Sequence, residues 1–267
     1  MGKTKIIAFA NNKGGSGKST TCSNVGYGMS LSGKRVLLID GDMQMNLTLS
    51  FFEEDRALAI AKSQKNLYYA MKNEEDLTSY IVPTAYTGLD IIPSSTLMSS
   101  IEYELFTKWE REFILSRALE RIVASESYDY ILIDSPPTLG GWVMNIMCAA
   151  DFLLIPLEAS PWGLFGLANM FNFYGQAKRM AKKLELLGVV ITKADERKNY
   201  FKETTETLAG LENVYVFQNY IRVDSAVEWA QDNSKPVIAY KKNSRSAKEY
   251  LQLAKEIMEN VDRKEQH

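Results

Sequence analysis

The sequence predicts an α/β protein: a mostly parallel, twisted sheet of about seven to eight strands with helices on both faces. Three observations predict it. Short apolar, β-branched runs alternate along the chain with longer amphipathic segments, the pattern of parallel strands joined by crossover helices. Several runs, among them Val36-Leu37-Leu38-Ile39 and Ile131-Leu132-Ile133, are apolar at every position, as strands covered on both faces must be. The first run, Ile6-Ile7-Ala8-Phe9-Ala10, passes directly into Asn11-Asn12-Lys13-Gly14-Gly15-Ser16-Gly17-Lys18-Ser19-Thr20. Strand, glycine-rich turn and helix in that order are the setting of a phosphate-binding loop.

In chain order, strands are expected over 5–10, 36–40, 89–92, 130–134, 152–156, 187–192 and 214–217. A helix is expected from Thr20 to about Ser32, and others over 97–125, 163–185, 200–211 and 244–262. In the last, Ala247, Leu251, Ala254, Ile257, Met258 and Val261 fall on one stripe at helical spacing. The segment 51–66, acidic at Glu53-Glu54-Asp55 and basic toward Lys65, is expected to be an irregular surface insertion. The basic run from Lys178 to Lys183 fits the outer face of a crossover helix. No repeat, linker or low-complexity tract divides the chain, so residues 1–267 are taken as one domain.

Composition excludes several classes. Lys and Arg number 31 against 33 Asp and Glu, a net charge of −2, which rules out wholesale coating of nucleic acid and leaves only a local basic patch. Cys22 and Cys148 are too few and too isolated for a disulfide framework or a cysteine metal site. The single histidine is His267, which leaves no histidine for catalysis. No signal peptide opens the chain, Ile6 breaks a myristoylation pattern, and no apolar run reaches the roughly 18 residues of a membrane span. A cytoplasmic protein without a membrane partner is the expectation.

The loop carries the chemistry. Gly14, Gly15 and Gly17 let successive backbone N–H groups around Ser16 and Thr20 converge on an anion, and the helix start adds its positive dipole end. Lys18 would neutralise the outer phosphates, and the Ser19 hydroxyl would ligate Mg²⁺. The strands 36–40 and 130–134 end in Asp40-Gly41-Asp42 and in Asp134-Ser135-Pro136-Pro137. Parallel strands deliver their carboxyl ends to one crevice, so these acids should stand beside the loop. There they can hold Mg²⁺-bound water, Asp134 in the Walker B manner, and orient a water for attack on a γ-phosphate.

Two details distinguish the loop from an ordinary one: Asn12 replaces its usual first glycine, and a second lysine, Lys13, lies inside it. This Lys-Gly-Gly-x-Gly-Lys-Ser pattern resembles the deviant Walker A loop of the ParA/MinD group of P-loop ATPases. The likeness to the ParA partition ATPases runs nearly end to end. It continues through Leu37–Thr48, where Gly41 and Met43 replace a usual apolar residue and a proline, and through Leu89–Ser95, Ala149–Pro156 and Ser234–Val237. The resemblance implies an ATP/ADP- and Mg²⁺-binding ATPase with Lys18 and Ser19 on phosphate and metal, and Asp40 and Asp134 around the metal. It also implies Asp42 on the attacking water, and Lys13 reaching across a homodimer that sandwiches the nucleotides. Weak intrinsic hydrolysis, nonspecific double-stranded DNA, a ParB-like centromere-binding partner and a nucleoid location follow from it in the same way.

Thr192-Lys193-Ala194-Asp195 ends a strand as guanine-reading loops do, but Thr192 stands where those have asparagine, and the resemblance favours adenine. Basic residues gather late in the chain, at Lys193, Arg197, Lys198, Lys202, Arg222, Lys241, Lys242, Arg245 and Lys248. Arg197 and Arg245 match basic positions of the family, and Arg197, Lys198, Arg222, Lys241, Lys242 and Arg245 are the candidates for contacts with DNA phosphates, which are independent of sequence and sensitive to salt. A MinD-type membrane switch would need a basic terminal helix with a bulky apolar face, and Asp262–His267 does not continue the last helix that way. Metal-cluster carriers need cysteines at the dimer face, and the tyrosine-kinase relatives need a tyrosine-rich tail. A positioning ATPase for cargo other than DNA remains open. The chain starts at its first strand, so no operator-binding extension is expected.

Overall fold

The computed structural model describes residues 3–266. The first strand, β1 (Lys5–Phe9), lies inside a sheet of seven, between β5 (Tyr130–Asp134) and β6 (Phe152–Glu158). Outward from β5 come β2 (Val36–Asp40), β4 (Leu89–Ile92) and the edge strand β3 (Val82–Pro83); β7 (Glu185–Thr192) flanks β6. All pairs are parallel except β3 with β4. The proline in β3 suits an edge, where a missing N–H breaks no inner ladder.

Alternate residues of each strand feed opposite cores. Ile6, Ala8, Ile131, Ile133, Leu153 and Ile155 pack on one face. Ile7, Phe9, Leu38, Leu132 and Leu154 pack on the other. The first face is covered by α6 (Ile114–Ala124), α7 (Gly141–Ala149) and α8 (Pro161–Met180). The second is covered by α1 (Lys18–Leu31) and α12 (Arg245–Glu265). These two helices approach so closely that a Cβ on Gly28 would sit 3.0 Å from that of Ala254. Of the expected α12 stripe, Ala247, Ala254, Ile257 and Val261 are buried; Leu251 and Met258 are half-buried, and Tyr250 and Leu253 complete the buried apolar set.

The elements depart from expectation in several places; the helix expected over 163–185 ends at Met180, and α-helices over Leu67–Asn73, Ser225–Asp232 and Val237–Tyr240 fall where none was expected. Residues 51–66 are not irregular: α3 (Glu54–Lys62) buries Ala57 and Ala61 and carries acids in its first turn and Lys62 in its last, a favourable arrangement for the helix dipole. The span 97–125 is not one helix. Glu110 has φ 46°, and this left-handed residue separates α5 (Ile101–Leu105) from the 3₁₀ turn Arg111–Phe113 and α6. Residues 214–217 do not form a strand; the segment touches β7 by a single bridge, Val189 with Val216. Just beyond, the Gln218 and Asn219 N–H groups donate to the Glu256 carboxylate at 2.8 and 3.0 Å, so donors that would extend a ladder are already satisfied. β3 carries no periodicity in its two residues and was not expected.

The remaining elements complete the frame. They are α2 (Asn46–Leu49), α4 (Leu67–Asn73), α9 (Asn199–Ala209), α10 (Ser225–Asp232) and α11 (Val237–Tyr240). Among the described residues no helix is long and apolar enough to cross a membrane.

Candidate nucleotide-binding site

Lys5–Phe9 delivers the chain to the carboxyl edge of the sheet, and the loop 10–17 turns it back into α1. Gly15 and Gly17 have φ of 75° and 80°, backbone that a β-carbon disfavours. Gly17 is the residue before the first helical position, so Lys18 and Ser19 open α1 with their N–H groups unpaired within the helix. The loop is pinned from β7: the Thr192 hydroxyl donates to the Ser16 carbonyl at 2.8 Å. It is pinned from β6 as well, where Asn11 Nδ2 donates to the Pro156 carbonyl at 2.7 Å and Asn11 Oδ1 accepts from the Lys13 N–H at 3.0 Å. Asn12, in place of a glycine, lies against α8 where that helix has no side chain: a Cβ on Gly166 would be 3.0 Å from Asn12 Oδ1.

The acids converge as expected. Asp40 and Asp134 are in register on adjacent strands and fully buried. Asp134 has no hydrogen bond of normal geometry on either oxygen. Burial, with the Asp40 charge second, pushes its carboxyl well above the usual range, while the Ser19 hydroxyl and the Lys18 ammonium pull the other way. Lys18 is itself buried; desolvation lowers its ammonium, and Asp134 and Asp42 oppose that. Its Nζ reaches the Lys13 carbonyl at 3.2 Å. A buried carboxylate without donors beside a desolvated lysine and a helix start is a site short of a cation and an anion together.

Asp40 is placed differently from its expected part in a metal shell. Its Oδ2 accepts from the Thr48 N–H and hydroxyl at 2.7 and 2.6 Å, and its Oδ1 from the Asp42 N–H at 3.2 Å. Burial raises its carboxyl to about 7 against these bonds. Each oxygen accepts at least one bond, so Asp40 braces the 40–48 turn, and Asp134 is the acid of the two without a partner. That turn is fastened further: Ser94 donates to the Asp42 carbonyl at 2.7 Å, and Trp142 Nε1 to the Gly41 carbonyl at 2.9 Å. Asp42 Oδ1 accepts from Gln44 N–H at 3.0 Å, and burial raises the Asp42 carboxyl as well. Ser94 and Trp142 escaped sequence reasoning because their roles depend on strand order, which brings the ends of β2, β4 and β5 side by side; Thr48 lies in the turn after β2 itself, where no local pattern marks it.

Gly14, Gly15, Gly17, Lys18, Ser19, Thr20 and Asp42 line one wall of a cleft of about 630 Å³, within the range of small-molecule sites. The rest of the lining comes from the end of β7, the segment 221–224 and α10, through Thr192, Lys193, Ile221, Val223, Asp224, Val227 and Gln231. Of these only Thr192-Lys193 had a local signal. The rest lies in segments without a motif, carried to the cleft by the bridge of Ala194 with Arg222. Gln231 Nε2 links the two parts of the lining by donating to Thr20 Oγ1 at 2.9 Å.

The expected DNA-facing residues divide. Arg197 and Lys198 are exposed at the start of α9, and Arg197 forks onto Asp195 at 2.8 and 3.0 Å. That pairing holds the Asp195 carboxyl down to about 2. Lys241 and Lys242 are exposed, Lys241 over the Trp229 ring. Arg222, in contrast, lines the cleft; its guanidinium is bound to Glu249 at 2.6 Å and lies 3.4 Å from Glu196. It belongs to the cleft wall and not to the exposed set. Arg245 donates to the Val223 carbonyl and sits 3.8 Å from the same Glu249. Lys13 is bound within its own chain, to Glu158 at 2.5 Å and Ser160 at 2.6 Å. Among the described residues no three His, Cys, Asp or Glu side chains form a metal-holding cluster.

A phosphate-type loop at the switch point of a parallel sheet, with an acid from the neighbouring strand, defines the P-loop ATPase class. The sequence model described as an AAA domain matches residues 4–186. The chain is 35% identical over 259 residues to the sporulation initiation inhibitor protein Soj of Bacillus subtilis, covering 96% of this chain and 99% of that one. It is 33% identical over 257 residues to the chromosome partitioning protein ParA of Caulobacter vibrioides, covering 95% and 94%. The crystal structure of a plasmid partition protein of Borrelia burgdorferi bound to AMPPNP superposes with a TM-score of 0.77 at 28% identity, covering 98% of this chain and 100% of that one. The chain belongs to the ParA family of partition ATPases.

Proposed function

We propose that this chain is a Mg²⁺-ATP-dependent switch that dimerises around two nucleotides and binds duplex DNA without sequence preference in the ATP form. In this reading it partitions plasmid or chromosomal DNA with a ParB-like centromere-binding partner, and residues 1–267 act as a single ATPase unit. The observation that carries the reading is the Asp134 carboxylate, buried and without a hydrogen-bond donor beside Ser19 and Lys18. Mg²⁺, when bound, would balance the phosphate charge and polarise the γ-phosphate. Ser19 and, through water, Asp134 are the residues that would hold it; the donor set of one hydroxyl and one acid suits an ion that keeps waters and phosphate oxygens as its other ligands.

The remaining roles follow from position. Gly14, Gly15, Gly17, Lys18, Ser19 and Thr20 line the cleft, and the N–H groups of the loop would bind the phosphate chain, with Lys18 neutralising its outer charge. Asp42, held by Gln44, Ser94 and Asp40, would orient the attacking water. Lys13 would exchange Glu158 for the phosphates of a second copy, where two facing triphosphates need added positive charge. Around the loop Met43 and Phe165 are 42% and 71% exposed, apolar surface that a second copy would cover. AMPPNP in the Borrelia relative supports the nucleotide assignment.

ATP turnover tests the site. Lys18→Ala should abolish binding and hydrolysis of ATP; unchanged turnover would refute the assignment. Asp42→Ala should retain ATP and accumulate as a dimer of twice the mass by light scattering, and a monomer under those conditions would remove Asp42 from the chemistry.

A further inference from the structure

Trp142 is the second residue of α7, which begins just after the loop that follows Asp134. Its side chain is 1% exposed, and its only polar atom, Nε1, is turned inward. That atom donates to the Gly41 carbonyl at 2.9 Å, across 101 residues of sequence. The main-chain N–H of Trp142 is held in turn by Glu102 Oε1 at 3.3 Å.

Gly41 and Asp42 share one peptide unit, and that unit is gripped at both ends. Its carbonyl oxygen accepts from the indole, and its N–H donates to Asp40 Oδ1. A peptide unit is planar, so fixing its orientation fixes the direction in which Asp42 leaves the backbone. Nothing in Gly41-Asp42-Met43 stiffens the segment locally: it has no proline and no β-branched side chain, and glycine leaves its own dihedrals free. The stiffness comes from outside. The Gly41 N–H also donates to the Asp134 carbonyl at 3.0 Å. One glycine thereby joins the ends of β2 and β5, and the indole sets Asp42 in relation to Asp134.

We propose that Trp142 is a positioning residue for ATP hydrolysis: its indole N–H holds the 41–42 peptide so that the Asp42 carboxylate keeps one orientation toward the attacking water. The inference rests on the role given to Asp42 above and extends it to a side chain that stands behind the turn. A small displacement of a catalytic group costs rate even where the ligand still binds. Trp142 therefore governs turnover more than affinity, because its bond is to the Asp42 turn and not to the phosphate loop.

Two variants separate the hydrogen bond from the bulk of the ring. Trp142→Phe removes the N–H and part of the volume, whereas site-specific replacement of Trp142 by benzothienylalanine keeps the shape and puts sulfur in place of the N–H. Both should lower kcat for ATP about tenfold, the size of one lost hydrogen bond, with KM for ATP and the affinity for fluorescent ADP kept within about twofold. A second measurement needs no nucleotide. By hydrogen–deuterium exchange the Gly41, Asp42 and Gln44 amides should exchange about tenfold faster in both variants, with those of β1 and α1 unchanged. Normal turnover or normal protection of these amides in the sulfur variant overturns the proposal. A parallel loss of nucleotide affinity, or faster exchange throughout, also overturns it, since either would reduce Trp142 to a packing residue. If Asp42→Ala hydrolyses ATP at the ordinary rate, the underlying role of Asp42 fails first, and that variant shows it separately.

Discussion

Asp40 and Asp134 illustrate how a single carboxyl changes meaning with its surroundings. Both end apolar strands and both are buried, but Thr48 satisfies one while the other lacks a hydrogen-bond partner. The pH dependence of stability follows from them. Burial raises the Asp40 carboxyl to about 7 in the fold, against about 4 in the unfolded chain. Between these values the folded state keeps a proton that the unfolded state has released, so stability falls as pH rises through the window; Asp134 is displaced in the same direction. The melting temperature of the nucleotide-free protein should therefore decline from about pH 5 to about pH 8, and Asp40→Asn should shallow that decline. A flat or rising profile would contradict the burial of these acids. The sequence signals both aspartates as strand-terminal acids. It cannot distinguish them, because the Thr48 hydroxyl that does so arrives from another element.

Gly41 shows the cost of bringing strand ends together. A Cβ there would lie 2.7 Å from the Asp134 carbonyl and 3.2 Å from Trp142 Nε1. The Asp134 carbonyl, Ile146 and the indole together crowd that space. Gly41→Ala should lower stability by roughly 1–3 kcal/mol, the usual range for overpacking, seen as a lower urea midpoint at unchanged slope. Thr192→Val should cost about 1 kcal/mol for the lost bond to Ser16 and weaken nucleotide binding through the loosened loop, measured by equilibrium titration with fluorescent ADP. Elements with strong apolar runs were legible: β1, β2, β4, β5, β6, β7 and α12 lie within a few residues of where periodicity puts them. Those that failed were decided by contacts. The helical spacing over 97–125 is real, but Glu110 turns left-handed within it, and Glu256 takes the donors that would have extended a strand from 214–217.

For the whole molecule, the exposed basic set predicts behaviour that a single chain cannot show. Two patches containing Arg197, Lys198, Lys241 and Lys242 would be aligned by dimerisation, so duplex DNA should bind with ATP, fail with ADP and weaken steeply as salt rises. Arg197→Ala should reduce this binding without changing the ATP-dependent mass. Arg222→Ala should act otherwise: it strips Glu249, buried at 7% exposure, of its closest cation, and should lower thermal stability and nucleotide affinity instead of the salt slope. Equal DNA binding with ADP and ATP would sink the switch.

The chain alone determined the sheet, the phosphate loop with Lys18 and Ser19, and the convergence of Asp40, Asp42 and Asp134. Local periodicity, glycine spacing and the shared carboxyl edge of parallel strands are all written in short stretches of residues. Tertiary structure decided which acid stays open, which arginine faces the cleft, and where Lys13 reaches. Those outcomes turn on bonds between elements, Thr48 to Asp40, Glu249 to Arg222 and Glu158 to Lys13, and no short stretch of residues announces them.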